Sequence, residues 1–219
     1  MRRSREEAAE TRRKAVETAS RLYRDRGLDT VSVSDVMAAI GMTVGGFYRH
    51  FESKDVLVSE ACGRAFEEAG QAQDAAVASA GDGDPLAAMF RRYLSRAHRD
   101  APASGCPVPS LLSSIPRQSP SVRRVFTDSI RRTHARIERY SPEADPEARI
   151  AALASMFGAL ALARAVDDDA LSTRLLHDTR EFWIRALGRQ PPRKAPGDTG
   201  RRPGPRRRRA RAPAHRRNP

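Results

Sequence analysis

Residues Ser32–Lys54 read SVSDVMAAIGMTVGGFYRHFESK. Ser32 and Asp35 stand at capping-box spacing, and Val33, Val36, Met37 and Ile40 recur at i, i+3, i+4 and i+7, so a short helix there has one face to bury. Gly41 ends it. A second helix is predicted from Thr43 to about His50, burying Val44 or Phe47 against the first and turning Thr43, Gly45, Gly46, Tyr48 and His50 outward. Two such helices around a glycine turn form a helix-turn-helix.

The flanking sequence is helical as well. A first helix is predicted over about Arg5 to Arg26, with Ala15, Val16, Ala19, Leu22 and Tyr23 inward, stopping at Gly27. A helix from about Ser53 carries Val58, Cys62, Phe66 and Ala69 at helical spacing and fades between Ser79 and Gly83. Asp84-Pro85 opens another, which places Leu86, Met89, Phe90, Tyr93, Leu94 and Ala97 on one face. Prolines between Pro102 and Pro120 break the next region into short pieces. Further helices follow over Ser121–Tyr140, from Asp145-Pro146 to about Val166, and from about Asp169 to Leu187. No alternating strand pattern stands out, so an all-α fold is predicted.

The chain has 219 residues and two cysteines, Cys62 and Cys106, without metal-ligand spacing. We see no apolar run near the roughly 18 residues of a membrane span, and MRRSREEAAE has no apolar core after its arginines. These readings predict a cytoplasmic protein with no membrane partner. The net charge is +13, but residues 189–219 carry eleven arginines, one lysine and one aspartate, so +11 of it lies there. That Pro/Gly/Arg-rich segment lacks the apolar residues to offset the entropy of ordering and is expected to be disordered.

The string GMTVGGFYRHFESKD resembles the recognition-helix signature of the tetracycline-repressor-like (TetR) family of transcriptional regulators, specifically from about Arg12 to Leu57. The resemblance implies an N-terminal three-helix DNA-binding domain, residues 1–52, followed by a helical ligand-binding and dimerisation domain, residues 53–188. It implies that Thr43, Tyr48, His50 and Lys54 hold phosphates, leaving base reading to Val44, Gly45, Gly46 and Arg49. Valine can touch a thymine methyl and glycines allow close approach, so DNA shape or the N-terminal arginines Arg2, Arg3 and Arg5 must supply part of the selectivity. A homodimer is expected, paired through the last two helices and reading a palindromic double-stranded operator on the nucleoid. The family mostly represses.

A repressor needs an input, and helical bundles place ligands between helices. The candidates for binding a small, largely apolar effector are Met89, Phe90, Tyr93, Cys106, Leu111, Phe126, Met156 and Phe157. Gly105-Cys106-Pro107 also puts a thiol at a predicted helix start, where thiolate is stabilised; this gives an alternative, electrophile or redox sensing. A further alternative is non-specific nucleic-acid binding by the arginine tail. No phosphate-binding glycine loop, HExxH or nucleophile elbow occurs, and the histidines show no ligand spacing. No enzyme activity, cofactor or metal is therefore expected.

Overall fold

The computed structural model describes residues 2–188. The predicted tail at 189–219 lies outside them. Among the described residues every regular element is a helix, as the periodicity predicts. Helix α1 spans Arg2–Arg26 and buries Ala15, Ala19 and Tyr23. It ends where Gly27 takes φ +90° and donates its N–H to the Tyr23 carbonyl at 2.8 Å. Most side chains are strained at that φ.

Helix α2, Val33–Ala39, starts with the predicted capping box. The Asp35 N–H donates to Ser32 Oγ at 3.1 Å, and the Ser32 N–H donates to Asp35 Oδ2 at 2.7 Å. Gly41 turns the chain with φ +73°. The next element, expected as an α-helix from Thr43, is a 3₁₀ helix over Val44–Arg49. Two adjacent glycines are poor helix formers, and the tighter i→i+3 pattern closes this short run. The Gly46 N–H donates to the Thr43 carbonyl and the His50 N–H to that of Phe47.

Helix α3, Lys54–Ser79, is capped by Ser53, whose Oγ accepts from the Val56 N–H. It packs on α1, on α4 (Pro85–Tyr93) and on α7 (Pro120–Tyr140). Between α4 and α7 lie the short helices α5, Arg96–Arg99, and α6, Pro107–Leu111. Ala97, predicted on the inner face of α4, is exposed. Helix α4 stops at Tyr93 and Ser95 caps a new turn by accepting from the His98 N–H, which resets the helical phase.

Helices α8, Pro146–Ala165, and α9, Asp169–Leu187, pack together and complete the bundle. Contrary to the expectation of no such segment, α8 is long and apolar enough by composition to cross a membrane, with a mean hydropathy of 1.4. Alanines interleaved with larger residues raise its average without making an unbroken run of large apolar side chains. Its Leu153, Met156, Phe157 and Leu160 are buried in the protein core. Its outer side shows Ile150 and Leu162, and α9 adds Leu171 and Phe182, all exposed.

Candidate DNA interface and effector cavity

Phe47 is the anchor of the 3₁₀ segment. It is fully buried, stacks on Phe51 with ring centroids 5.2 Å apart, and meets Tyr48 edge-on, also at 5.2 Å. Arg12 of α1 lies over the Phe51 ring and pairs with Glu60. With Phe47 inward, Tyr48 is 73% exposed, and Thr43, Val44, Gly45 and Arg49 share the open surface; His50 is half-buried. Of the two candidates for burial, the structure thus selects Phe47 over Val44. The glycines differ in their surroundings. A Cβ on Gly46 would sit 3.3 Å from Met42 Cε, whereas one on Gly45 would meet nothing closer than Thr43 Oγ1 at 4.0 Å.

Lys54 has a structural task besides any outward one. Its Nζ donates to the Val31 carbonyl at 3.1 Å, tying the start of α3 to the entry of α2. One of its three donors is thereby used. The side chain remains exposed.

A partly open cavity of about 50 Å³ lies between α3, α4, α7 and α8. At roughly 10–15 Å³ per water this is room for a few waters, or for a small body that displaces them. Of the predicted residues, Met89, Tyr93, Cys106, Met156 and Phe157 line it, while Phe90, Leu111 and Phe126 do not. Met89 and Tyr93 are one turn apart and share a face, whereas Phe90 is rotated by about 100° into the core. Leu111 is buried on α6, which packs against α8, and Phe126 stands edge-on behind Phe66, 5.1 Å between centroids. Phe66, Gln73, Arg92, His98, Arg132 and Arg136 also line the cavity and were not anticipated there. Arg132 and Arg136 lie one turn apart on the same side of α7 as Ser129 and Thr133; that spacing was a signal available in the sequence.

Cys106 stands at the N-cap position of α6, without a side-chain capping bond, and Pro107 lies in the first turn, as Gly-Cys-Pro suggests. The thiol is nevertheless buried, and burial raises its pKa, against the effect expected of a helix start. Cys62 is buried on α3 and pushed up to about 12 for the same reason. The Cys106 N–H donates to His98 Nε2 at 2.9 Å, so that nitrogen carries no proton, and Nδ1–H donates to the Tyr93 carbonyl at 2.7 Å. Burial lowers the His98 pKa to about 4, partly countered by the bond to Tyr93. The ring is a neutral strut.

Sequence reasoning also passed over Arg24. Its guanidinium is buried on α1 and donates to Ser20, to Glu68 of α3 at 2.6 Å, and to the Gly105 carbonyl at 3.0 Å. In so arginine-rich a chain, nothing local distinguishes the buried arginine from the solvated ones.

The family described as bacterial regulatory proteins, tetR family, matches residues 15–61. Over 58 residues the chain is 40% identical to the HTH-type transcriptional regulator TtgR of Pseudomonas putida, covering 26% of this chain and 28% of TtgR. It is 37% identical over 59 residues to the HTH-type transcriptional regulator AcrR of Shigella flexneri, 27% of either chain. It is 35% identical over 65 residues to the HTH-type transcriptional repressor BepR of Brucella suis, covering 30% of this chain and 31% of BepR. The matched stretch thus spans less than a third of these relatives. The fold extends further. The reduced form of Escherichia coli NemR superposes with a TM-score of 0.69 at 17% identity, over 81% of this chain and 97% of that one. Streptomyces coelicolor SCO4454 does so with a TM-score of 0.65 at 23% identity, over 86% and 97%.

Proposed function

We propose that this chain, a member of the tetR family of bacterial regulatory proteins, is a transcriptional repressor that binds a palindromic operator as a homodimer and is released by a small effector. The observation that carries the proposal is the buttressed 3₁₀ segment. Phe47 fixes its inner side, while Tyr48, Thr43, Val44, Gly45, Arg49 and Lys54 are exposed and His50 is half-buried. Hydroxyl, imidazole and ammonium groups position the segment on phosphates, and Val44, Gly45 and Arg49 approach the bases, whereas Gly46, predicted outward, is half-buried toward Met42. On this reading residues 1–52 bind DNA, residues 53–188 dimerise and hold the effector, and the protein works in the cytoplasm at the nucleoid.

The exposed apolar residues of α8 and α9 support pairing. Ile150 and Leu162 are exposed on α8, and Leu171 and Phe182 are exposed on the adjacent α9. A twofold mate laying the same pair of helices across this face forms a four-helix interface, and two modules then read half-sites about 34–36 Å apart, or a multiple of it.

The input is the cavity lined by Met89, Tyr93, Met156 and Phe157. Cys106 lines it and follows Gly105, whose carbonyl is bound by Arg24 of α1, so cavity and DNA-binding domain are joined within a few contacts. An effector that binds better to the arrangement unable to span both half-sites shifts the population and frees the operator.

The test is fluorescence anisotropy of the full chain with DNA from upstream of its own gene and with a shuffled control, at near-physiological salt. A preference of about a thousandfold for the upstream DNA, weakened by Tyr48→Ala, supports the proposal. Equal binding to both, untouched by Tyr48→Ala, overturns it.

A further inference from the structure

The cavity has a charge asymmetry beyond what an apolar effector needs. Three arginines line it, Arg92 of α4 and Arg132 and Arg136 of α7, and no aspartate or glutamate does so among the described residues. Arg136 is neutralised, since its guanidinium forms a two-pronged pair with Asp74 at 3.0 and 3.1 Å. Arg132 donates to the neutral Ser129 Oγ, at 2.8 Å, and among the described residues neither it nor Arg92 pairs with a carboxylate. A second polar group waits deeper. Tyr93 is 6% exposed and lines the same cavity, and its hydroxyl has no nitrogen or oxygen partner. The Cys106 thiol beside it is a weak hydrogen-bonding group and leaves that hydroxyl under-satisfied. Buried hydroxyls are normally satisfied, so one facing a cavity in this way marks a place for a ligand atom.

Resting on the reading of this cavity as the effector site, we propose that the effector is a small organic monocarboxylate: a short aliphatic chain of a few carbons, which about 50 Å³ can take, with its carboxylate outside at the rim. Arg92 and Arg132 bind the head group by charge-assisted hydrogen bonds, which planar guanidinium donors make well to a carboxylate. Arg132 is exposed and Arg92 half-buried, so the anion remains at the wet edge and avoids the cost of full burial. The body lies among Phe66, Met89 and Phe157, and a polar substituent on it reaches the Tyr93 hydroxyl. A cation of the same shape meets two uncompensated positive charges.

The experiment is calorimetric titration of the full-length protein with three probe sets of matched shape: butyrate and isobutyrate, the corresponding amides, and the corresponding amines. The acids are expected to bind, the amides at least about tenfold more weakly, and the amines not at all. Arg92→Gln and Arg132→Gln should each weaken the acids about tenfold or more and leave the amides unchanged, whereas Arg123→Gln, on the same helix as Arg132 but away from the cavity, should leave the acids unchanged. Amides or amines binding as tightly as the acids would overturn the anion assignment and leave the cavity as an effector site. Absence of binding by all three sets would overturn both.

Discussion

Arg24 Nη1 lies 3.0 Å from the Gly105 carbonyl oxygen, a contact between α1 and the loop ahead of α6. Arg24 is only 2% exposed, and its other nitrogens are taken by Ser20 and by Glu68 of α3. The residue therefore ties three segments at one point. Glu68 is partly solvated and is also held by Arg64, so losing Arg24 does not strand a fully buried charge. Arg24→Met, which keeps the stem, should cost about 2–3 kcal/mol through the abandoned carbonyls and the weakened ion pair. Urea unfolding measures this, and a loss under about 0.5 kcal/mol would show that the contact does not hold these segments together.

Gly105 is glycine for reasons of space, its φ of −86° being ordinary. A Cβ there would stand 2.7 Å from His98 Nε2 and 3.1 Å from Arg164 Nη2. Gly105→Ala is expected to displace the imidazole, break its bond from the Cys106 N–H and cost about 1–3 kcal/mol. Gly63, inside α3 with nothing within 4 Å of such a Cβ, is the control. Gly63→Ala should stabilise by about 0.5–1 kcal/mol. The two thermal shifts should have opposite signs.

His98 makes stability depend on pH in a defined window. Its pKa falls from 6.5 to about 4 on folding, so between those values the unfolded chain binds the extra proton and stability rises with pH. Lowering the pH from 6.5 to about 4 should remove up to about 3 kcal/mol. Asp29, Asp35 and Asp100, whose pKa values are lowered from 3.8 by hydrogen bonds to Arg117, Ser32 and Arg99, lose their contribution only at lower pH. His98→Gln should flatten the upper window and leave the steeper acid limb in place. An unchanged slope would contradict the neutral-strut assignment.

Phe47 and Tyr48 are neighbours with separable roles. Phe47→Ala removes a fully buried ring and should cost about 3–5 kcal/mol of folding stability. Tyr48→Ala should change stability by less than about 0.5 kcal/mol and weaken operator binding by about 1–2 kcal/mol. Lys54→Met joins both effects, losing about 1 kcal/mol of stability with the Val31 bond and lowering the salt slope of DNA binding by about one per half-site. A slope that does not move would confine Lys54 to the fold.

Thiol chemistry gives an independent check on Cys106. Burial raises the pKa of both thiols, so a disulfide reagent at neutral pH should label Cys62 and Cys106 far more slowly in the native protein than in urea. Rapid native labelling of Cys106 would restore the redox alternative.

Much of this protein is written in local sequence. The capping box at Ser32, the turn at Gly41, the Asp84 cap and the i, i+4 apolar repeats are decided by residues within a turn or two of one another, and those elements match prediction. The 3₁₀ form of Val44–Arg49 is local in cause as well, since two adjacent glycines weaken the α-helical alternative. What the tertiary structure decided is which members of a helical face meet which neighbours. Periodicity placed Met89, Phe90, Phe126 and Phe157 inward alike, but only packing shows that Met89 and Phe157 border empty space while Phe90 and Phe126 meet other side chains. Burial of Arg24, the under-satisfied Tyr93 hydroxyl and the uncompensated Arg92 and Arg132 depend on segments distant in the chain. A guanidinium's partners are set by the fold, and no spacing of arginines along a helix records them.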